Sequence, residues 1–463
     1  MEKAFAEWPR SLWSEDSLKW DFPEIDNGDS FDVVVVGAGY SGLWTAHHLL
    51  NLNPSLSVAI LDARQPGFGA SGRNGGWCSA FSPMSLEAVA AQSNKQGAID
   101  LQNALVAAVD EIGAHVASSG IDCGWHKGGT MSFASNQLQL QRITENISMS
   151  RDFGYDDSFM DFLSPSQAEN RVCIRESHGA SYSPHCAALQ PAQLVDGLVH
   201  QLLSRNVRFF GSTRVTDISP HRVSAETPKG NASIKAKWII RATEGFTARM
   251  SQYRRDVAPL YSYMIATEPL SEAQWSEIGW TNRETVSDGR NLVIYVQRTA
   301  DGRIAFGGRG APYKFASRIG SNFDNNPKIH SLIEKSMREM FPSIVDVPVT
   351  HRWGGALGVH RDWFASANVD HTTHIASLGG YVGDGVAFSY VAAREVARNI
   401  VGEGQHERPL PIVNHVSPRW EPEPFRYVGI NSILRLTERA DETERLTGRK
   451  NRFMNWLLGR LIP

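Results

Sequence analysis

Short apolar segments alternate with helical patterns in the first part of the chain. Residues 31–36 are mostly β-branched and do not alternate with polar residues, which predicts a strand buried on both faces of a parallel sheet. Apolar residues then recur at helical spacing over residues 43–50, and Asn53-Pro54 ends that helix. Residues 57–61 predict a second buried strand that closes on Asp62. Together these segments predict a complete β-α-β unit.

The middle of the chain mixes helical and extended patterns. Residues 86–117 favour a helix, and residues 123–133 predict a hairpin or a pair of strands. Proline in the first turn after Gln190 indicates the start of another helix. Strands over residues 207–210 and 214–218 follow it, so the α/β pattern continues.

The last third of the chain changes in character. A turn at residues 228–231 separates strands, the second of which ends at residues 238–243. Extended segments between residues 257 and 349 predict a second, largely antiparallel sheet. Glycine-rich turns at residues 379–385 then precede a helix. The chain is therefore expected to contain two sheets of different kinds.

The composition is that of a folded protein, and it excludes several classes. The 463 residues carry 46 Lys+Arg against 49 Asp+Glu, which argues against a basic surface for nucleic acid. At about 150 residues per domain, the length suits three domain-sized units, or two of which one interrupts the other. Four cysteines without a Cys-x-x-Cys pair predict reduced thiols in a cytoplasmic protein. We expect neither a secretory signal nor a membrane span.

A glycine motif joins the first predicted strand to the first helix. Gly37-x-Gly39-x-x-Gly42 is followed twenty residues later by Asp62, at the end of the second strand. Gly37 makes the tight turn, Gly39 lets backbone amides approach a pyrophosphate, and Gly42 lets the helix pack closely on the sheet. Asp62 can accept a hydrogen bond from a ribose hydroxyl. An ordinary glycine-rich turn is the alternative, but this context predicts dinucleotide binding.

A second glycine-rich loop occupies residues 67–76, directly after the second strand. Its five glycines and small polar residues let the backbone lie against a planar ligand and offer amides to phosphate oxygens. The loop lacks the Gly-x-Ser-x-Gly elbow of hydrolases, because Arg73 stands in the fifth position. A flexible surface loop is the alternative.

The chain resembles the FAD-dependent oxidoreductases of the D-amino-acid oxidase (DAO) family, and within it the gamma-glutamylputrescine oxidoreductase branch. Several motifs in family order carry this resemblance and span almost the whole chain. They are Val36-Gly37-Ala38-Gly39-Tyr40-Ser41-Gly42-Leu43, Gly69-Ala70-Ser71-Gly72-Arg73-Asn74-Gly75-Gly76, Leu189-Gln190-Pro191, Ala242-Thr243-Glu244-Gly245-Phe246-Thr247, Ala266-Thr267-Glu268-Pro269-Leu270, Trp353-Gly354-Gly355 and Gly380-Tyr381-Val382-Gly383-Asp384-Gly385-Val386.

The resemblance implies the fold class and the domain bounds. The fold is an α/β, glutathione-reductase/DAO-type two-domain flavoprotein, with a Rossmann-like FAD-binding domain and a substrate domain built on a largely antiparallel sheet. The expected parts are an N-terminal extension (1–30), a discontinuous FAD-binding domain (31–85, 189–250 and 350–405), a substrate domain (86–188 and 251–349) and a C-terminal helical tail (406–463).

The resemblance also implies which residues hold FAD, and no metal is expected. Residues 383–386 would bring a helix N-terminus to the flavin pyrimidine ring, where helix amides stabilise the negative charge of reduced flavin. The expected FAD-binding residues are Gly37, Gly39, Tyr40, Ser41, Gly42, Asp62, Ala63, Arg64, Gly69, Ala70, Ser71, Arg73, Asn74, Gly75, Gly76, Val215, Ala242, Thr243, Gly245, Gly380, Tyr381, Gly383, Gly385 and Val386.

Three departures from the family pattern bear on chemistry. Leu357 stands where amino-acid and glycine oxidases carry an arginine that clamps the substrate carboxylate, which makes an α-amino acid a poorer substrate. Ala305 stands where sarcosine oxidases carry an oxygen-activating lysine, so dioxygen and another electron acceptor both remain open. The stretch at residues 353–360 has no cysteine for flavin attachment, so FAD is expected to bind non-covalently.

The sequence thus predicts an amine oxidoreductase acting on CH-NH or CH-NH2 groups. A hydride leaves the carbon beside the nitrogen, and the resulting imine is hydrolysed to a carbonyl; an acylated diamine such as gamma-glutamylputrescine is one candidate substrate. Alternatives are an amino- or imino-acid oxidase or dehydrogenase and a non-catalytic flavin-binding scaffold. Tyr263, Arg309, Trp353 and His360 are the candidate substrate-pocket residues, with packing or surface roles as the alternative for each.

The tail over residues 435–463 mixes basic and apolar residues. Such an end can lie on a membrane surface, but more often it docks on its own domain or on a partner subunit. We expect docking, and the sequence is compatible with a homo-oligomer.

Overall fold

The structure is a computed structural model that describes residues 8–308, 310–402 and 408–449. Two large sheets organise this part of the chain. The strands, in chain order, are β1 (Ser30–Val36), β2 (Val58–Leu61), β3 (Trp77–Ser79), β4 (Thr130–Phe133), β5 (Asp161–Leu163), β6 (Ala180–Ser183), β7 (Cys186–Ala188), β8 (Arg208–Phe210), β9 (Arg214–Ser219), β10 (Arg222–Thr227), β11 (Gly230–Arg241), β12 (Ala258–Thr267), β13 (Thr285–Asp288), β14 (Ile294–Arg298), β15 (Ile304–Gly308), β16 (Val349–Val359), β17 (Ser366–Asp370) and β18 (Ile375–Gly379).

Helices cover both sheets. They are α1 (Tyr40–Leu52), α2 (Leu86–Gln92), α3 (Lys95–Ser118), α4 (Gln137–Asp152), α5 (Pro165–Glu169), α6 (Pro191–Ser204), α7 (Glu272–Ile278), α8 (Pro327–Met340), α9 (Gly385–Val401) and α10 (Phe425–Thr447).

The first sheet has the strand order β17-β18-β11-β1-β2-β8. Its central strands are parallel: β1 pairs with both β11 and β2, and β2 pairs with β8. Val33 and Val35 of β1 pack into the core that α1, α3, α6 and α9 cover. Val34 and Val36 pack into the core on the opposite face, which includes residues of β10 and β11. The uninterrupted apolar pattern therefore reflects burial on both faces, as the sequence predicts.

The second sheet has the strand order β16-β12-β15-β14-β13-β4-β6-β5 and is antiparallel except where β13 lies parallel to β4. Helix α8 packs on β12 and β15. Its residues Ile333 and Met337 share a core with Tyr261 and Tyr263 of β12. The other face of β12 and β16 is turned toward the first domain, where Met264 and Trp353 share a cluster with Ala192 of α6.

The structure differs from the sequence-based domain bounds at two points. Strand β16, expected in the FAD-binding domain from residue 350, pairs along its length with β12 of the second sheet. Helix α3, expected in the substrate domain, buries Leu101, Leu105 and Ile112 in the core of the first domain. An apolar strand or helix face does not show which of the two cores it packs in, so the hydrophobic pattern alone could not place these domain bounds.

Two local expectations also change. The expected hairpin over residues 123–133 contains a single strand, β4, whose partners β6 and β13 come from distant parts of the chain. The long helix expected over residues 86–117 is two helices, because Asn94 accepts a hydrogen bond from the amide of Gly97 and caps a new helix.

Residues 410–414 pack beside β17 on the first domain, and helix α10 packs on the second domain. Glu444 of α10 pairs with Arg142 at 2.6 Å, and Asp441 accepts hydrogen bonds from the amides of Asn291 and Leu292, each at 2.9 Å. The expected helical tail is thus a docked helix up to Thr447, and residues 450–463 lie outside the described residues. Within the described ranges, no helix combines the length and apolarity needed to cross a membrane.

Candidate functional site

A cavity of about 400 Å³ lies where the carboxyl ends of β1 and β2 meet α1, and it extends to the start of α9. Its volume is within the range of small-molecule and cofactor sites. The part of its wall that comes from the second sheet includes Ala356 and Leu357 of β16. The cavity therefore lies between the two domains, with the glycine-rich segments of the first domain on one side.

Three glycines shape the turn between β1 and α1. Gly37 has a positive φ of +111°, and a Cβ there would lie 2.4 Å from the carbonyl oxygen of Ala242. A Cβ on Gly42 would lie 2.0 Å from the carbonyl oxygen of Gly37. Gly39, the N-cap residue of α1, has no side chain with which to cap the helix. The positive end of α1 consequently faces the cavity at a point that can accept a phosphate.

Asp62 stands at the end of β2 and lines the same cavity. Its carboxylate accepts hydrogen bonds from the amide of Ala38 at 2.7 Å and from the amide of Arg64 at 2.8 Å. Burial raises the pKa of this carboxyl to about 6, while the two amide donors oppose the rise. A carboxylate has about four acceptor positions, so capacity remains for a ribose hydroxyl.

The loop of residues 67–76 folds back on the N-terminus of α1. Ser71 Oγ accepts a hydrogen bond from the amide of Tyr40 at 2.9 Å. The side chain of Asn74 donates to the carbonyl of Ser71 at 2.8 Å and accepts from the amide of Gly76 at 2.7 Å. These bonds fix the backbone of the loop, and Gly69, Ala70, Ser71 and Asn74 line the cavity.

Glu244 is a functional candidate that the sequence reasoning did not select. Its carboxylate accepts from the amide of Gly358 in β16 at 3.2 Å and from the amide of Gly380 at 3.1 Å. Burial raises its pKa to about 7, although these amides oppose the rise. Glu244 thereby joins the second sheet to the loop before α9, at the wall of the cavity. Its place in the Ala-Thr-Glu-Gly motif was the only signal in the sequence.

We expect Glu244→Gln to loosen this junction. Gln retains one oxygen, so one of the two buried amides would face an NH2 group instead of an acceptor, at a cost of about 1 kcal/mol in unfolding free energy. Denaturant unfolding of the FAD-free protein measures the loss. The comparison is made at pH 4, where Glu244 is protonated in the folded protein and the cost of burying its charge does not enter. The expectation is wrong if the variant is as stable as the parent at that pH.

The N-terminus of α9 forms the other end of the cavity. Gly383, Gly385 and Val386 line it, together with Tyr381, whose hydroxyl lies 3.0 Å from Ser41 Oγ. Asp384, the N-cap residue of α9, makes no side-chain cap, and burial raises its pKa to about 7. The helix amides therefore remain directed toward the cavity.

Most of the predicted FAD-binding residues come together at this cavity, while five of them lie outside its wall. Gly42, Arg73, Gly75, Gly76 and Gly380 are not among the residues that line it. The predicted residues that line it are Gly37, Gly39, Tyr40, Ser41, Asp62, Ala63, Arg64, Gly69, Ala70, Ser71, Asn74, Val215, Ala242, Thr243, Gly245, Tyr381, Gly383, Gly385 and Val386.

The three predicted substrate-pocket residues that the structure describes are not brought together. Tyr263 lies on the face of β12 that packs against α8, and its hydroxyl donates to the carbonyl of Phe323 at 2.9 Å. Trp353 is fully buried, and its Nε1 donates to the carbonyl of Arg73 at 3.0 Å. His360 Nδ1 lies 2.7 Å from the carbonyl oxygen of Phe364. Arg309 lies outside the described residues, so its role stays a prediction.

The register of the second sheet shows which of its residues face the first domain. Leu357 lines the cavity and is paired with Leu260 of β12. Because side chains alternate along a strand, Ser262 is on the same face as Leu260, and Tyr263 is on the opposite face. Ser262 Oγ lies 2.5 Å from the hydroxyl of Tyr295 in β14. The sequence predicts that side chains alternate between the two faces of the strand, but it does not show which residues lie on which face.

Other cavity residues were also missed by sequence reasoning. Phe68 and Phe246 lie inside named motifs, but nothing in a motif separates a ligand-binding aromatic ring from a packing one. The others lie outside the motifs, and Trp8 lies in the expected N-terminal extension. These residues are Trp8, Phe68, Thr213, Arg214, Thr216, Phe246, Arg249 and Met250.

The residues present fit FAD. The glycines at positions 37 and 39 leave space where a Cβ would intrude, two helix N-termini meet the cavity, and Asp62 stands at the strand end. Among the residues that line the cavity there is neither a cysteine nor a histidine to form a covalent flavin link. The fold and the cavity together define a two-domain dinucleotide-binding flavoprotein.

Comparison with known proteins identifies the family. The family described as FAD dependent oxidoreductase (DAO) matches residues 32–399, and the chain belongs to it. The chain is 25% identical over 416 residues to the probable oxidoreductase OrdL of Haemophilus influenzae, which covers 87% of this chain and 90% of that protein. It is 25% identical over 387 residues to the gamma-glutamylputrescine oxidoreductase of Escherichia coli, which covers 83% and 87%.

Solved structures agree on the fold. Glycine oxidase from Geobacillus kaustophilus superposes with a TM-score of 0.68 at 18% identity, and the match covers 84% of this chain and all of that one. The protein is therefore an FAD-dependent oxidoreductase with a DAO-type two-domain fold, and it binds FAD non-covalently, as the sequence predicts.

Proposed function

We propose that this protein oxidises a primary or secondary amine. In the overall reaction the substrate would give up a hydride from the carbon next to the nitrogen and a proton from the nitrogen, and the imine would react with water to give a carbonyl compound and the released amine or ammonia. The names of its relatives support amine chemistry, since one is a gamma-glutamylputrescine oxidoreductase and another is a glycine oxidase. FAD supplies the two-electron acceptor for this step.

The observation that carries the proposal is the position of Leu357 in the wall of the cavity. It stands on β16, paired with Leu260 of β12, whose side chain packs in an apolar cluster with Tyr313 and Trp420. An apolar side chain at this position favours the uncharged amine from which hydride can leave, and Leu357 itself offers no partner for a carboxylate attached to the reacting carbon. We therefore propose an amine without such a carboxylate, with an acylated diamine of the gamma-glutamylputrescine type as the first candidate.

The chain's contribution is chiefly to position the substrate and keep water out. Glu244 holds β16 against the loop before α9, and Tyr381 and Ser41, both in the cavity wall, bond to each other. A fixed wall of this kind places the reacting carbon without a general base, because the uncharged amine needs none.

Anaerobic mixing of the FAD-bound protein with separate amine classes tests the proposal. The panel contains diamines, acylated diamines, N-methylated amines and amino acids, and the readout is loss of the oxidised flavin absorbance. Reduction by diamines or acylated diamines, at least about tenfold faster than by amino acids, is expected. Faster reduction by amino acids would favour the amino-acid oxidase alternative, and reduction by no amine would favour the scaffold. Oxygen consumption compared with dye reduction then separates dioxygen from another acceptor.

We expect Leu357→Arg to change the preference within this panel. A guanidinium in the cavity wall can bind a carboxylate with two hydrogen bonds, so the ratio of kcat/KM for amino acids to that for diamines should rise by at least about tenfold, or 1.4 kcal/mol. Leu357→Met, which keeps an apolar side chain of similar volume, is the control. An unchanged ratio in the arginine variant would remove Leu357 from the substrate site.

A further inference from the structure

The segment before the family-matched region packs directly on the FAD-binding loop. Ser11 Oγ donates to the carbonyl of Gly72 at 2.9 Å, and Trp13 Nε1 donates to the carbonyl of Asn74 at 2.8 Å. In the opposite direction, Arg73 Nη2 donates to the carbonyl of Pro9 at 2.8 Å. We call residues 8–14 the N-terminal strap. It is bonded to three successive residues of the loop that lines the cofactor cavity.

The strap is also wedged between the two domains. Leu12 and Trp13 are only 7% and 2% exposed. Trp13 meets the ring of Trp353 in β16 edge-on, with 6.1 Å between centroids, and both share a cluster with Met264 of β12. On the side of the first domain, Gln190 donates to the carbonyl of Trp13 at 3.0 Å. Releasing the strap would thus expose two large apolar side chains as well as break hydrogen bonds.

One residue of the strap reaches the cavity itself. Trp8 is part of the cavity wall, next to Phe68, which its ring meets edge-on at 5.1 Å between centroids. The guanidinium carbon of Arg64, another wall residue, lies 5.7 Å from the centre of the Trp8 ring. The indole is thereby held by an aromatic ring and a cation at the edge of a site that takes a dinucleotide.

We propose that the N-terminal strap retains FAD, and that Trp8 is a cofactor-contacting residue. The strap fixes the loop of residues 67–76 in its closed position, and Trp8 closes the wall beside Phe68. FAD can leave only after the strap separates from the loop, so the strap slows dissociation. This inference concerns cofactor retention and does not depend on which amine is oxidised.

The rate of FAD dissociation tests the proposal without any substrate. The FAD-bound protein is diluted, and the rise in fluorescence of released flavin is followed. Trp8→Ala is expected to release FAD at least about tenfold faster than the parent, which corresponds to about 1.4 kcal/mol. Trp13→Phe removes the bond to Asn74 but keeps an aromatic ring, and it should also release FAD faster, by a smaller factor.

Trp20→Ala is the matched control. Trp20 follows the strap, its Nε1 donates to Asp196 at 2.8 Å, and its ring stacks on Phe22 away from the cavity wall. This variant should release FAD at the parent rate. The proposal is overturned if Trp8→Ala and Trp13→Phe, shown by circular dichroism to be folded, both keep the parent rate. It is also overturned if Trp20→Ala releases FAD as fast as Trp8→Ala, since general loosening would then explain both.

Discussion

Replacing Gly39 with valine is expected to weaken FAD binding by at least about 100-fold, or 2.7 kcal/mol. A Cβ at this position would lie 2.9 Å from Ser71 Oγ, the atom that accepts from the amide of Tyr40 at the start of α1. Valine would push Ser71 aside and fill the space through which a pyrophosphate approaches the helix amides. Titration of the FAD-free variant with FAD, followed by flavin fluorescence, measures the affinity.

Gly429→Val provides a matched control for this change. Gly429 lies in the second turn of α10, is exposed, and has no atom within 4 Å of the position that a Cβ would occupy. Valine has a higher helix propensity than glycine, so the change does not weaken the helix and this variant should bind FAD as the parent does. A Gly39→Val protein that binds FAD normally would show that the cofactor phosphates do not lie at the start of α1.

The site at this turn was accessible from the sequence because its determinants are local. Gly37, Gly39 and Gly42 lie in one turn of chain. A Cβ on Gly42 would meet Gly37 in the same turn, a Cβ on Gly39 would meet Ser71 in the next glycine-rich loop, and a Cβ on Gly37 would meet Ala242 directly after β11. Asp62 follows at the end of the neighbouring strand. The spacing of these residues is therefore enough to predict the turn, and the order of the motifs along the chain is enough to predict the family.

The substrate side was less accessible because it depends on strand phase and on distant pairing. Tyr263 and Leu357 were both noted in the sequence, but only the pairing of β12 with β16 shows that they lie on opposite faces of the sheet. The alternation of side chains along a strand does not show which alternate set of residues is directed toward the expected flavin site. The N-terminal strap was missed for a related reason, since its partners Gly72 and Asn74 lie about sixty residues further along the chain.

A cluster of buried histidines next to the predicted cofactor site is expected to make the unfolding free energy strongly dependent on pH. His47 and His48 lie on α1, whose N-terminus faces the cavity, and His115 lies on α3. The rings of His47 and His115 are 4.7 Å apart between centroids. Three basic rings in contact, with His47 and His48 less than 9% exposed, disfavour protonation because each charge would lack water and repel its neighbours.

The groups around the cluster reinforce this effect. Burial, then the neighbouring His115 and Arg205, lower the pKa of His47 to about 4. Burial, His47 and the cations Arg394 and Arg398 of α9 hold the pKa of His48 well below its usual range. The carboxylates facing this side are already paired, Glu111 with Arg394 and Glu395 with Arg398.

The sign of the pH effect follows from these directions. The unfolded chain binds a proton at His47 below about pH 6.5, and the folded chain does so only below about pH 4. Unfolding is therefore increasingly favoured as the pH falls through this window, by about 3 kcal/mol for His47 in total. Buried carboxyls oppose the trend: the pKa values of Asp324 and Glu244 are raised to about 7, so their ionised forms destabilise the fold at neutral pH and less so in acid.

Because the histidine and carboxyl contributions overlap in pH, the contribution of His47 is measured as the difference between the parent and a variant that lacks this histidine. We expect His47→Gln, which stays neutral at every pH, to lose about 3 kcal/mol less unfolding free energy than the parent between pH 7 and pH 4. Denaturant unfolding of both FAD-free proteins at the two pH values gives the comparison, with His178→Gln at an exposed position as the control. Equal losses in the parent and His47→Gln would mean that His47 is protonated in the folded protein as readily as in the unfolded chain. If the expected difference is found, acid should weaken the packing of α1 and with it the helix end at which we expect the cofactor to bind.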